Sequence, residues 1–299
     1  MPVYAYAMPT ANVSDNVANR NSESTCRHEG TNRPTPIPWL KERTIMSVVD
    51  KSAVGTSARQ YHIGVAPGEV GEIALLPGDP FRVALIAEFL DDVTEVAHRR
   101  EHRTVTGYYQ GLRVSATSTG MGCPSTAIAV EELARCGVNT FIRVGSSAAL
   151  QPHIGPGDLL ISHGALRNDG TSDAYVPRGY PAVPDLRLTI ALEDVARELA
   201  PEAGFAVHSG INATDDAFYA ETPAFIDELS RLGLTNVEME ASALYVVARQ
   251  RGLRAAMICA CSSNLVAGAS VYDESNARLH DGWRHSIRVA LDAALRIHA

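Results

Sequence analysis

Three arginines stand where an oxyanion could be held. One follows a glycine turn in Leu76-Pro77-Gly78-Asp79-Pro80-Phe81-Arg82, one lies in His98-Arg99-Arg100-Glu101, and one sits in Phe141-Ile142-Arg143-Val144-Gly145-Ser146-Ser147. Gly78 lets backbone approach a ligand, and the N-terminus of the helix beyond it favours an anion that Arg82 can also reach. Arg143 interrupts an apolar strand, and a buried charge is costly unless it is paired. Downstream, Glu238-Met239-Glu240 ends another strand; side chains alternate faces along a strand, so both carboxylates share a side opposite Met239. Carboxylates suit sugar hydroxyls, and arginines with hydroxyls and backbone N–H groups suit a tetrahedral anion. Together these residues suggest an enzyme that brings phosphate to a sugar.

Each segment also has a plainer reading. Gly78 to Arg82 could be a tight turn with a surface arginine, Arg143 a structural salt bridge, and Glu240 a helix cap. Ser118-Thr119-Gly120-Met121-Gly122-Cys123-Pro124-Ser125 could contact sugar or base through its backbone, or serve only as a packing turn. A lone histidine such as His62 is more often structural than catalytic. There is no G-x-S-x-G elbow, no H-E-x-x-H and no Walker lysine, so phosphate binding rests on arginine.

The elements that must position these residues alternate in type. Strands are expected at 73–76, 104–109, 112–118, 140–144, 158–162, 206–213, 236–239 and 254–260. Helices are expected at 80–90, 124–136, 185–199, 223–232, 241–251 and 276–297. The alternation predicts an α/β fold, a three-layer sandwich around a mixed, mostly parallel central sheet. In such sheets ligands sit beyond the carboxyl ends of the strands, where Gly78, Gly120, Gly122 and Gly145 are expected. Residues 1–58 are rich in Asn, Ser, Thr and Pro and read as a disordered extension, with Met46 a plausible later start. Residues 59–299 read as a single catalytic domain.

Composition narrows the function class. A net charge of -8 argues against a broad nucleic-acid surface. No apolar run is long enough to span a bilayer, and the N-terminus lacks a secretory pattern. The five cysteines form no C-x-x-C pair, and Cys259 and Cys261 sit in an apolar run as buried thiols, which suggests a reducing, cytoplasmic setting.

From about Tyr61 to Ala299 the chain resembles the hexameric nucleoside phosphorylase family, which includes uridine phosphorylases and bacterial purine nucleoside phosphorylases. The motifs that carry the resemblance are P-G-D-P-x-R, S-T-G-M-G-x-P-S, I-R-V-G-S and E-M-E, in that order. It implies a phosphate site of Gly78, Arg82, Arg143 and Ser146, with Arg100 supplied by a neighbouring subunit. It implies a nucleoside site of Glu238, Met239 and Glu240 at the ribose, Ser147 beside it, Phe218 stacked on the base, and a neighbour's His62 at the 5′-hydroxyl. Arg82, Arg143 and Glu240 would carry catalysis. Glu101, Met121 and Ser125 match positions where some relatives hold a monovalent cation; no other metal or cofactor is implied, inorganic phosphate being a co-substrate. The implied partners are nucleoside, phosphate and copies of the chain itself, as dimers built into a hexamer with shared sites.

The departures concern the base. Where uridine phosphorylases read uracil, this chain has Thr222, Ala224 and Leu265; where the purine branch has its acid, it has Ser263. Asp215, Asp216 or Arg178 are the candidates to replace them. Phosphorolysis is therefore the expected reaction, of a uridine phosphorylase-like kind with altered base-reading residues; a purine nucleoside phosphorylase, a water-using nucleosidase and a non-catalytic nucleoside-binding protein are the alternatives.

Overall fold

Glycine and proline turns punctuate the apolar runs of a computed structural model that describes residues 59–267 and 277–298, all within one compact unit, Met46–Ala299. The extension expected over 1–58, and Asn276 at the head of the last helix, lie outside the described residues. In chain order the elements are β1 (Ile73–Leu76), α1 (Pro80–Ala87), β2 (Asp91–Arg99), β3 (His102–Tyr109), β4 (Leu112–Thr117), α2 (Cys123–Arg135), β5 (Thr140–Ala149) and β6 (Leu159–Asn168). There follow α3 (Gly170–Tyr175), α4 (Leu186–Ala203), β7 (Val207–Asp215), a 3-10 turn (Phe218–Ala220), α5 (Pro223–Arg231), β8 (Asn236–Glu238), α6 (Ala241–Gln250), β9 (Arg254–Asn264) and α7 (Ala277–His298). Helix starts are chemically marked. Asp79 accepts from the Phe81 N–H ahead of Pro80, Asp185 from Leu188, and Thr222 from Phe225, each satisfying an orphan donor of the first turn.

The sheet is mixed, in the order β2-β3-β4-β1-β5-β8-β7-β6-β9, and β9 returns to pair with β5. Period-two alternation splits its faces. Ile73, Leu75, Ile142, Val144 and Ile258 pack with α1, α4 and α7, while Ala74, Leu76, Phe141, Met257 and Cys259 pack with α2 and α6. These are the three layers anticipated from the sequence.

β5 is the organising strand. β9 runs parallel along one edge, from Thr140↔Arg254 to Ala149↔Asn264. The other edge is divided: β1 pairs in parallel up to Leu76↔Arg143, and β8 pairs antiparallel at Ala148↔Val237 and Ala149↔Asn236. Residues 144–147 lie between these pairings, and the carboxyl ends of β1 and β8 run toward each other across the interval. This is a switch point of the sheet.

Several boundaries differ from expectation. β5 continues to Ala149, so Gly145, Ser146 and Ser147 lie inside the strand rather than after it. β6 and β9 also run on, to Asn168 and Asn264. Their glycines and serines resemble terminators, but cross-strand partners hold them in the ladder, and context outweighs strand propensity. β2 was not anticipated. It is an edge strand of mostly exposed Asp, Thr, Glu, His and Arg with two register shifts against β3, so it carries no apolar alternation to read.

Candidate active site

The motifs separated in sequence converge on the 144–147 interval. After β1, the Gly78 carbonyl accepts from the Gly120 N–H at 2.9 Å and the Pro77 carbonyl from Thr119 at 2.9 Å, which locks the two glycine turns together. Gly120 has φ +72°, and a Cβ there would lie 2.6 Å from Glu101 Cγ. The turn carrying Arg100 and Glu101 therefore packs on the glycine turn as closely as glycine allows.

Arg143 is 4 % exposed and lies on the face of β5 toward α2 and α6. Its Nη2 donates to Glu240 Oε2, and its Nε lies 3.3 Å from Glu238 Oε2. Nη1 has no hydrogen-bond partner among the described residues, nor does the buried hydroxyl of Ser147. Gly145 makes room for the guanidinium: a Cβ there would lie 3.2 Å from Arg143 Cζ and 2.9 Å from Cys259 Sγ. Burial by itself would lower the pKa of Arg143, but Glu240 and Glu238 more than reverse this and raise it. Burial pushes Glu238 up despite Arg143, and the Glu240 charge adds to the rise.

The two carboxylates have different tasks. Glu238 Oε2 accepts from the N–H groups of Glu240 at 2.8 Å and Ala241 at 2.9 Å, and Oε1 accepts from Thr214 Oγ1 at 2.6 Å and Asn212 Nδ2 at 3.0 Å. Helix capping thus falls to Glu238. Glu240 makes no side-chain cap; it accepts from the Gly122 N–H at 2.7 Å, joining the second glycine turn to Arg143. Met239 is partly exposed between them.

On the opposite face of β5, Ser146 Oγ accepts from Arg82 Nη1 at 3.2 Å and from Trp283 Nε1 at 2.8 Å. The Arg82 guanidinium also lies over the Trp283 ring, 5.2 Å from its centroid. The sequence reading missed Trp283, because a single indole on an amphipathic helix reads as core. It also missed Asn212 and Thr214, whose polar side chains on a buried strand were a usable signal.

The remaining expected residues lie outside the Arg143–Glu240 and Arg82–Ser146 contacts. His62 Nδ1 lies 2.6 Å from Glu132 Oε1, and Glu132 also accepts the N–H groups of His62 and Ile63. Arg100 is exposed, with φ +57°, in the turn between β2 and β3. Phe218 is exposed and forms a T-shaped pair with Tyr219. Of the cation set, Ser125 Oγ donates to Glu101 Oε1 at 2.8 Å while Met121 is 84 % exposed. Backbone bonding and Ser125 hold the Glu101 carboxyl below its usual range.

Of the positions expected to read the base, Thr222 is occupied as the cap of α5, Leu265 packs beside Ile226 and Val237, and Ser263 is buried with a hydroxyl that has no partner among the described residues. Asp216 accepts from the Gly170 N–H and Arg178 pairs with Asp173, both at 2.8 Å. Just past Phe218, burial and then the nearby Asp215 charge push Glu221 up to about 7. This gives a stability prediction. Near pH 4 the folded and unfolded chains both hold the proton. As pH rises through 4.5 the unfolded chain ionises first, so the folded state loses stability until about pH 7. Glu221→Gln should therefore melt higher than the parent at about pH 8 and alike near pH 4, the gain staying below about 1 kcal/mol because the group is half exposed. An equal offset at both pH values in thermal unfolding would refute this.

No helix among the described residues is long and apolar enough to cross a membrane. The description "Phosphorylase superfamily" matches residues 72–295. A uridine phosphorylase of Thermococcus kodakarensis is 48% identical over 220 residues, covering 69% of this chain and 78% of its own. A guanosine phosphorylase of Halorubrum lacusprofundi is 42% identical, covering 79% of this chain and 98% of its own. The crystal structure of a uridine phosphorylase from Vibrio fischeri superposes with a TM-score of 0.73 at 33% identity, over 81% of this chain and 99% of that one. The arginine and glycine turns that meet at the divided edge of β5 thus have a family: the chain belongs to the phosphorylase superfamily, as a nucleoside phosphorylase and so a pentosyltransferase.

Proposed function

We propose that the divided edge of β5 cleaves a nucleoside N-glycosidic bond with phosphate, releasing base and (deoxy)ribose 1-phosphate. The observation that carries this reading is the buried Arg143 guanidinium, with Nη1 unpartnered, set between Glu240 on one side and the Arg82–Ser146 pair across the strand. Phosphate takes the donors of Arg82, Arg143, Ser146 and the Gly78 turn. Glu240 with Met239 receives the ribose, Glu238 borders it while capping α6, and Ser147 and Phe218 border the nucleoside. Bond cleavage builds positive charge at the anomeric carbon, and the fixed phosphate stabilises that charge and then attacks it. Catalysis is positioning and electrostatics, with no covalent enzyme intermediate.

A neighbouring copy of the chain supplies Arg100 and His62, so the active form is a homo-oligomer of dimers, a hexamer in full. The exposure of Arg100 in the turn between β2 and β3 supports this. The buried free thiols of Cys123, Cys136, Cys259 and Cys261 support a reducing, cytoplasmic setting, where phosphorolysis would serve nucleoside salvage. Residues 59–299 act as one catalytic domain.

The base is read differently from the uridine branch, since Thr222 and Leu265 are otherwise engaged. A purine reading has its own support. Glu221 follows Phe218 by three residues, and burial and then Asp215 push it up to about 7, so it would be a proton donor for a leaving base if it faces the site. The test is base release from uridine, thymidine, cytidine, inosine, adenosine and guanosine, with and without phosphate. Phosphate-dependent release from guanosine or inosine, suppressed by Glu221→Gln, is the expected result for the purine reading, and release from uridine for the other. Release without phosphate would overturn the phosphorylase assignment.

A further inference from the structure

We propose that Trp283 is a positioning residue that turns the Ser146 hydroxyl into an obligatory donor toward the anion; this deepens the proposed phosphate site and rests on that reading. A serine hydroxyl has two acceptor lone pairs and one proton. Arginine and tryptophan nitrogens only donate. Arg82 Nη1 at 3.2 Å and Trp283 Nε1 at 2.8 Å therefore occupy both lone pairs of Ser146 Oγ. The remaining proton has no acceptor among the described residues, and only an acceptor can complete the group. An unprotonated anion oxygen accepts it strongly, whereas a P–OH oxygen pointing the same way accepts it only weakly.

The indole acts twice. Its ring lies under Arg82, 5.2 Å from Cζ, a cation–π contact that limits where the guanidinium can swing. His280 forms a T-shaped pair with the ring at 4.8 Å between centroids. A helix late in the chain thus sets the direction of donors on α1 and β5.

Two substitutions separate the roles. Trp283→Phe keeps a ring under Arg82 and removes the N–H. It should raise the KM for phosphate about tenfold, the ratio that one hydrogen bond of ordinary strength commands, with the nucleoside KM nearly unchanged. In a Ser146→Ala background the same change should add nothing. Trp283→Leu should raise the phosphate KM further. The chain has two tryptophans, so in Trp39→Phe the emission is that of Trp283 alone; phosphate without nucleoside should shift it, saturating near the phosphate KM. An unmoved emission, or a Trp283→Phe enzyme whose two KM values rise together while kcat falls, would overturn the inference in favour of simple packing. A parent enzyme that needs no phosphate would remove the functional reading first, before any variant is made.

Discussion

Arg143→Lys should lower kcat/KM by about a thousandfold while leaving a folded protein, and Arg143→Leu should cost several kcal/mol of stability as well. The guanidinium meets Glu240 and Glu238 at once and still carries an unpartnered Nη1. An ammonium group is a point charge; it can satisfy one carboxylate but cannot also present a fixed fork to an anion. Loss of one preorganised donor to transition-state charge typically costs about 10²–10³ in rate, and here the misplaced carboxylates add to it. Leucine leaves two buried carboxylates facing each other, and removing one partner of a buried ion pair typically costs about 3–5 kcal/mol. Initial-rate kinetics and urea unfolding measure the two effects separately. A lysine variant within tenfold of the parent would dismiss Arg143 as a phosphate ligand and leave it a structural ion pair.

Glu240→Gln should separate the two substrates. Glutamine still offers an oxygen to the Gly122 N–H, which Glu240 accepts at 2.7 Å, so the glycine turn keeps its anchor. The charge is lost, and with it the carboxylate that competes for Arg143. Nucleoside turnover should fall about a hundredfold, since charged hydrogen bonds to hydroxyls are worth roughly twice neutral ones. Phosphate should bind at least as tightly as before, because a negative group next to the anion has gone. A phosphate KM that rises in step with the nucleoside KM would mean that the variant has collapsed the site and that Glu240 has no separate ribose role.

The parts of this architecture that were legible in the sequence are those whose determinants are local. Asp79-Pro80 and Thr222-Pro223 announce helix starts because the cap and the fixed proline φ act within one turn. Ile73–Leu76 and Thr140–Val144 read as strands because buried strands are short apolar runs. What stayed hidden depended on pairing. The polar half of β5, from Gly145 to Ala149, is a strand because β9 and β8 bind its edges, and β2 is a strand because β3 gives it a partner.

The same division runs through the site. Sequence alone determined which residue types are present: three arginines, two glycine turns and a carboxylate pair, in motifs specific enough to indicate the family. Those signals survive because a turn, a cap or an alternating strand is dictated by its own few residues. Only the tertiary structure decided how they combine. The divided edge of β5 sends Arg143 to one face and Ser146 to the other. Gly122 and Glu240, 118 residues apart, share a hydrogen bond. Trp283 reaches Ser146 across 137 residues. Such contacts belong to helix packing against a sheet, where distance along the chain carries no information, and they determine which donors remain for the substrate.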